Sequence, residues 1–397
     1  MKKATVLFIA VVLLAATAFL GGSARASGDG GQDISGSVEE SVEDMLDNLD
    51  VSGMNGLLAS LDSAQLAVFG FSDIKERIRA VASGEYGSDF GSIMRYVASL
   101  LGADVFEYLP MMISCLAIVL AYNIINSMKS RFASAATERV VYFATGTLAV
   151  SLIVGSFAGI MGSAVKLVAS IKTQINAAAP VLLTVMTAAG AASSAGVYSP
   201  SIAILAGGMT NVVTYIAFPA LLMGLVFDII GAVSTAFRPE KMSEFMRSAC
   251  KWFLSTAFFV FIAVVGISGI TASVRDGISV RVAKFALSKY VPVIGGYLSQ
   301  GFDFVTAGNV LIKNAVGTSA IVLIALTAAP VLCRLAVFTL TLKLTAAIAE
   351  PLGGDKFGNV LTSVAKSSSV VAAVVAAMVF LYVLFLSIVI CTGNMAL

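Results

Sequence analysis

The chain is 397 residues long, 58% hydrophobic and only 12% charged, with 25 Lys and Arg against 23 Asp and Glu and no His. A soluble domain is about 25% charged, so this composition excludes a soluble globular enzyme, and the missing imidazole excludes histidine-dependent triads and most zinc sites. The charge of +2 divides unevenly: residues 27–108 carry 15 acids and 4 bases, whereas residues 109–397 carry 8 acids and 18 bases, the mark of an acidic aqueous segment ahead of a weakly basic membrane body.

At the start of the chain, Lys2 and Lys3 precede an apolar run from Ala4 to Leu20, followed by Gly21-Gly22-Ser23 and Ala24-Arg25-Ala26. Residues 1–26 read as a signal peptide cut after Ala26, the competing reading being an uncleaved anchor. The acidic segment 27–108 is expected to be exported and helical. Val38, Val42, Met45, Leu46 and Leu49 share one helical face between Ser37 and Leu61, a second helix is expected from Ile74 to Ala82, and a third, Ile93 to Leu109, leads into the membrane. Gly53, Gly84 and Gly87 are read as breaks between them. The acids Glu39 to Asp50 lack the spacing of a calcium loop and read as a solvated helix face.

Six apolar runs are long enough to span a bilayer: Leu109–Met128, Val140–Gly162, Ile202–Phe237, Trp252–Thr271, Val316–Ile348 and Val370–Cys391. The fold class is therefore an all-α polytopic membrane protein. Pro180 and Pro292, Pro219 and Pro330, and Pro239 and Pro351 are each separated by 111 or 112 residues, which points to an internal tandem repeat of about 111 residues. The copies fall at about 129–238 and 239–350, with a final span at 370–391. Val168, Ile171 and Ile175 in one copy, and Val274, Ile278, Val282 and Phe285 in the other, sit among basic residues and read as helices in the headgroup plane. Residues 181–197 and 293–308 read as re-entrant or interfacial segments. The runs containing Pro219 and Pro330, the candidate hinges, are each either one kinked helix or a broken pair. Six spans is the minimum, and eight or more follow if those runs are hairpins.

With residues 27–108 outside, the basic loops at 129–139 and 238–251 fall inside, as the positive-inside rule requires. The five positives Arg275, Arg281, Lys284, Lys289 and Lys313 do not fit that scheme. Asp228, Arg334 and Lys343 lie within apolar runs, where an unpaired charge costs several kcal/mol, and are the candidate intramembrane pathway residues. Shifting Asp228 by the repeat offset places it near Lys343 and Arg334, so a pairing across the copies is expected; the alternative is that the bases snorkel to the headgroups. Gly155, Gly159 and Gly162, and Gly266 with Gly269, would let helices approach closely, within the chain or in an oligomer. Cys115, Cys250, Cys333 and Cys391 lack motif spacing and read as buried apolar residues. No metalloprotease motif, rhomboid-type pair or P-loop is present, so no catalytic residue, metal or cofactor is assigned and no nucleic acid is expected as a partner.

The segments FSDIKERIRAVASGE (71–85), LLGADVFEYLP (100–110), RPEKMSEFMRSACKWF (238–253) and above all SKYVPVIGGYLSQGFD (288–303) resemble the stage III sporulation protein AE family over nearly the whole chain. The resemblance implies no enzyme. It implies a multipass protein of the mother-cell membrane around the forespore. There it would belong to a channel-like assembly with an ATPase-like protein and ring-forming proteins of the same operon, supporting late forespore gene expression. The alternative is a non-conducting membrane scaffold that anchors the other subunits.

Overall fold

The computed structural model describes residues 43, 45–46, 49–83, 90–127, 135–233, 239–290, 295–352 and 355–392; the expected signal peptide lies outside them. The described residues ahead of the long helices include three short ones: α1 (Ser52–Leu58), α2 (Ser63–Phe69) and α3 (Ile74–Ala82). Asp62 caps α2 in a reciprocal capping box with Gln65, and Gly70, in the left-handed region at φ 82°, ends it. Asn55 ties α1 to α3, donating to Asp73 Oδ2 at 3.1 Å and accepting from the Ile74 amide at 2.9 Å. The expected helix over 74–82 is present, but Gly53 is not a break. It lies inside α1, where its missing side chain lets Ala177 approach; a Cβ there would meet the Ala177 Cβ at 3.3 Å.

Among the described residues six long helices follow: α4 (Phe90–Ser127), α5 (Ala135–Ala188), α6 (192–233), α7 (Glu240–Tyr290), α8 (Gly295–Ala349) and α9 (Asp355–Cys391). Each contains a stretch long and apolar enough to cross a membrane, and each of the six expected runs falls on one of them. The continuous helix α6 is built from α-helical Ala192–Ala203, π-helical Ile204–Met209, α-helical Thr210–Val212, π-helical Val213–Ala217 and α-helical Phe218–Val233. The runs with Pro219 and Pro330 are thus single helices rather than hairpins. With 54, 51 and 55 residues, α5, α7 and α8 are each about 80 Å long at 1.5 Å per residue, against about 30 Å of hydrocarbon.

The expected headgroup-plane and re-entrant segments are corrected by this continuity. Val168, Ile171 and Ile175 are buried on the inner face of α5 while Lys166 points outward; an amphipathic pattern serves a core as well as a headgroup layer. Residues 181–188 finish the same helix, and the chain reverses in a Schellman turn. There the Ala191 amide bonds the Met186 carbonyl, the Gly190 amide bonds the Thr187 carbonyl, and Gly190 takes φ 83°. The next helix lacks its own cap, and Asp276 of α7 supplies one: its two oxygens accept from the Ser193 and Ser194 amides at 2.8 and 2.9 Å. A Cβ at Gly190 would stand 2.9 Å from Val280, so α7 closes tightly over the turn.

The bundle centres on α8 and α9, which pack against each other most extensively, with α4 and α5 on one side and the α6–α7 hairpin on the other. The N-terminal helices dock on α5 and α8. Pro330 has no N–H for the Leu326 carbonyl one turn earlier; Gln65 Nε2 reaches that carbonyl from α2 at 3.0 Å.

Candidate functional site

Chemistry-bearing side chains gather along one side of α9. At its cytoplasm-directed end in the expected topology, Asp228 of α6 accepts from Ser243 and from Arg247, both of α7. Arg247 also donates to Ser367 of α9 at 3.1 Å. The Arg247 and Asp228 side chains are only 9% and 5% exposed, so the pair is desolvated and each charge depends on the other. Further along, the buried Tyr382 hydroxyl bonds Thr210 Oγ1 at 2.7 Å and donates to the Leu205 carbonyl at 3.1 Å. Leu205 lies in the first π-helical stretch of α6, a geometry that disturbs the usual carbonyl pairing, and Thr210 directly follows it. At the far end Tyr198 OH pairs with Thr392 Oγ1 at 2.5 Å, and the fully buried Lys313 ammonium donates to the Thr392 carbonyl, where the dipole of α9 favours a cation. Gly269 makes room for that tyrosine: a Cβ there would fall within 3.1 Å of the ring.

Two of the three expected pathway residues have partners other than those anticipated. Asp228 meets Arg247 rather than Lys343 or Arg334. Arg334 reaches α4 instead, with Nε 3.4 Å from Asp104 Oδ1 and Nη2 3.0 Å from Glu107 Oε2; the rings of Tyr108 and Phe338 meet there at a tilt of 60°. Lys343 is half-buried on α8, and no carboxylate bonds it among the described residues. Glycines 155, 159, 162 and 266 face nothing within 4 Å. Cys115, Cys250 and Cys333 are buried and Cys391 is exposed.

Two features missed by sequence reasoning had a signal. Asp228 and Arg247 stand about equally far from the α6–α7 connection, which is where an antiparallel hairpin brings residues opposite each other. The Leu326 carbonyl follows from Pro330 alone, since a helical proline always frees the carbonyl four residues back. Outside the membrane helices, Arg77 lies over the rings of Phe69 at 4.2 Å and Phe71 at 5.8 Å and donates to the Phe69 carbonyl at 2.6 Å. Burial pushes its guanidinium down to about 10, which still leaves it charged at neutral pH.

Long apolar helices joined by buried polar contacts define a multipass α-helical membrane protein. A family model described as stage III sporulation protein AE matches residues 72–393, and the chain belongs to that family. The stage III sporulation protein AE of Bacillus subtilis (strain 168) is similar to it, 25% identical over 274 residues, which is 69% of each chain. No solved structure matches. The family description names a sporulation protein and no enzymatic activity.

Proposed function

We propose that this chain is a membrane component of a channel- or secretion-like complex in the mother-cell membrane around the forespore, needed for late forespore gene expression and development. Its partners are the ATPase-like and ring-forming proteins of the same operon. The organisation that goes with this reading is a signal peptide at 1–26, an acidic extracytoplasmic segment at 27–108 and a membrane body at 109–397 that carries the tandem repeat. Family membership supports the sporulation role. The observation that supports a conducting role is the polar seam along α9, from Ser367 to Thr392. It is about 37 Å long at 1.5 Å per residue, enough to cross the hydrocarbon layer.

In this reading the α6–α7 hairpin moves against α9. Asp228 holds the seam closed through Arg247, Lys313 is the charge at its far end, Arg334 and Lys343 on α8 are further charges of the pathway, and Pro219, two residues after a π-helical stretch, is the hinge. Pro330 contributes by exposing the carbonyl that seats the N-terminal helices. The competing reading, a non-conducting scaffold, is favoured by the mutual bonding of Asp228, Arg247 and Ser367 away from solvent. Deletion in a spore-forming host tests the role: engulfment should proceed and forespore development should stop afterwards, and normal spores from the deletion strain would refute it.

A further inference from the structure

At one level of the bundle, opposite flanks present different surfaces. On the flank of α4, α5 and the N-terminal helices, residues 153–188 of α5 expose no large apolar side chain; their outward positions include Lys166, Thr173, Asn176, Thr184 and Thr187. The N-terminal helices beside them expose Ser52, Asp62, Ser63 and Glu76. On the flank of α7, Phe259, Val260, Val264 and Ile267 are exposed, Phe259 by 73% and Ile267 by 69%.

Contacts fix the levels. Ile175 and Leu183 of α5 line one cavity with Phe385 of α9, and the ring centroids of Phe385 and Phe261 on α7 are 6.3 Å apart. Gln174 of α5 donates to Thr327 of α8 at 2.9 Å, beside the Leu326 carbonyl that holds Gln65 and with it the N-terminal helices. The polar positions of α5 from Thr173 to Thr184 therefore stand across the bundle from the middle of the apolar run 252–271. Carboxylates such as Asp62 and Glu76 are too costly to hold against hydrocarbon, so at this level lipid meets the α7 flank and water meets the other.

The wet flank has a floor. Towards the cytoplasm-directed end it reaches Arg334, 39% exposed, with Glu107, 51% exposed; Asp104 beside them is buried, and its Oδ2 bonds no described residue. One turn further, the Phe338 ring lies 5.2 Å from Tyr108 and 6.4 Å from Phe157, and past that aromatic layer α4 exposes Leu109, Ile113 and Leu120, where lipid begins. Thr339, about 7.5 Å past Arg334 along α8, shares a hydrogen bond with Ser368 of α9 at 2.9 Å. The adjacent Ser367 accepts from Arg247, which holds Asp228, so a pair of hydroxyls stands between the floor of the wet flank and the seam. We propose that this flank is the wall of a water-filled vestibule, open at the N-terminal helices, and that Thr339 and Ser368 form a lateral mouth from it into the seam for water and small hydrophilic solutes. The mouth rests on the conducting reading of the seam; the vestibule does not.

The test uses the full chain with Cys391→Ser in liposomes, its orientation read from Ser63→Cys and the folding of each variant from helical content equal to the parent protein. A membrane-impermeant thiol reagent added on the side of the N-terminal helices should modify Asn176→Cys and Thr184→Cys at least tenfold faster than Val264→Cys and Ile267→Cys at the same level. Rates no faster than those two controls would overturn the vestibule. With Asp228→Asn to loosen the pair, the same reagent should reach Ser368→Cys, and Thr339→Trp should slow that reaction at least tenfold while Tyr382→Cys reacts as before. If Ser368→Cys stays unreactive while Tyr382→Cys reacts, or its rate is indifferent to Thr339→Trp, the mouth is overturned and the seam stands. Silence at both positions would overturn the mouth and the conducting reading together.

Discussion

Replacing Gln65 with Leu tests how the N-terminal helices are fastened to the membrane body. Two bonds disappear: the amide donor to the Leu326 carbonyl and the carbonyl that accepts from the Asp62 amide in the capping box. A buried carbonyl left without a partner costs about 1–3 kcal/mol, and loss of half of a capping box about 1 kcal/mol, so Gln65→Leu alone should cost about 2–4 kcal/mol. In a Pro330→Ala background residue 330 regains an N–H that can bond Leu326 within the helix. The carbonyl is then satisfied without Gln65, and the same change should cost only about 1 kcal/mol. A double-mutant cycle, read by denaturant unfolding of the detergent-solubilised protein, should give a coupling of about 1–3 kcal/mol. Equal losses in the two backgrounds would show that Gln65 does not serve the carbonyl freed by the proline.

Other predictions concern the seam. Arg247→Met should cost about 3–5 kcal/mol, because it strands the buried Asp228 carboxylate, and Asp228→Leu added to it should restore much of that loss; additive losses in the same unfolding assay would mean the two groups are independent. Gly269→Ala should destabilise by about 1–3 kcal/mol through its clash with Tyr198. Gly266→Ala, facing open space one turn away, should stabilise by up to about 1 kcal/mol, and thermal melts showing the reverse order would contradict the placement of Tyr198. Asp276→Ala should cost about 1–2 kcal/mol by uncapping α6 and speed amide exchange at Ser193 and Ser194; unchanged exchange there would contradict the cap.

The spans were legible because hydropathy over about 20 residues is a sum that tolerates local error. Partners were less legible. Asp228 was matched by the repeat offset, but a buried acid takes the nearest base its own hairpin brings round, and that is Arg247. Asp104 and Arg334 are 230 residues apart, and no local pattern links them. Val168, Ile171 and Ile175 carried the periodicity of an interfacial helix because that periodicity records only that one side is apolar; α8 and α9, not lipid, lie against them. Lys313, grouped with the loop positives on charge alone, is buried against the end of α9, whereas Arg275, Arg281 and Lys289 remain exposed beyond the α5–α6 turn.

The conducting role rests on the seam along α9, and thiol accessibility tests it most directly. Single cysteines at Ser367, Tyr382 and Thr392, compared with lipid-facing controls at Phe259 and Leu340, can be exposed to a membrane-impermeant thiol reagent in proteoliposomes containing the assembled complex. The account predicts that seam positions react and that their reaction speeds up when Asp228→Asn loosens the pair with Arg247, while the controls stay unreactive. Seam positions that remain unreactive from both sides in parent and variant alike would contradict it and leave the chain a scaffold.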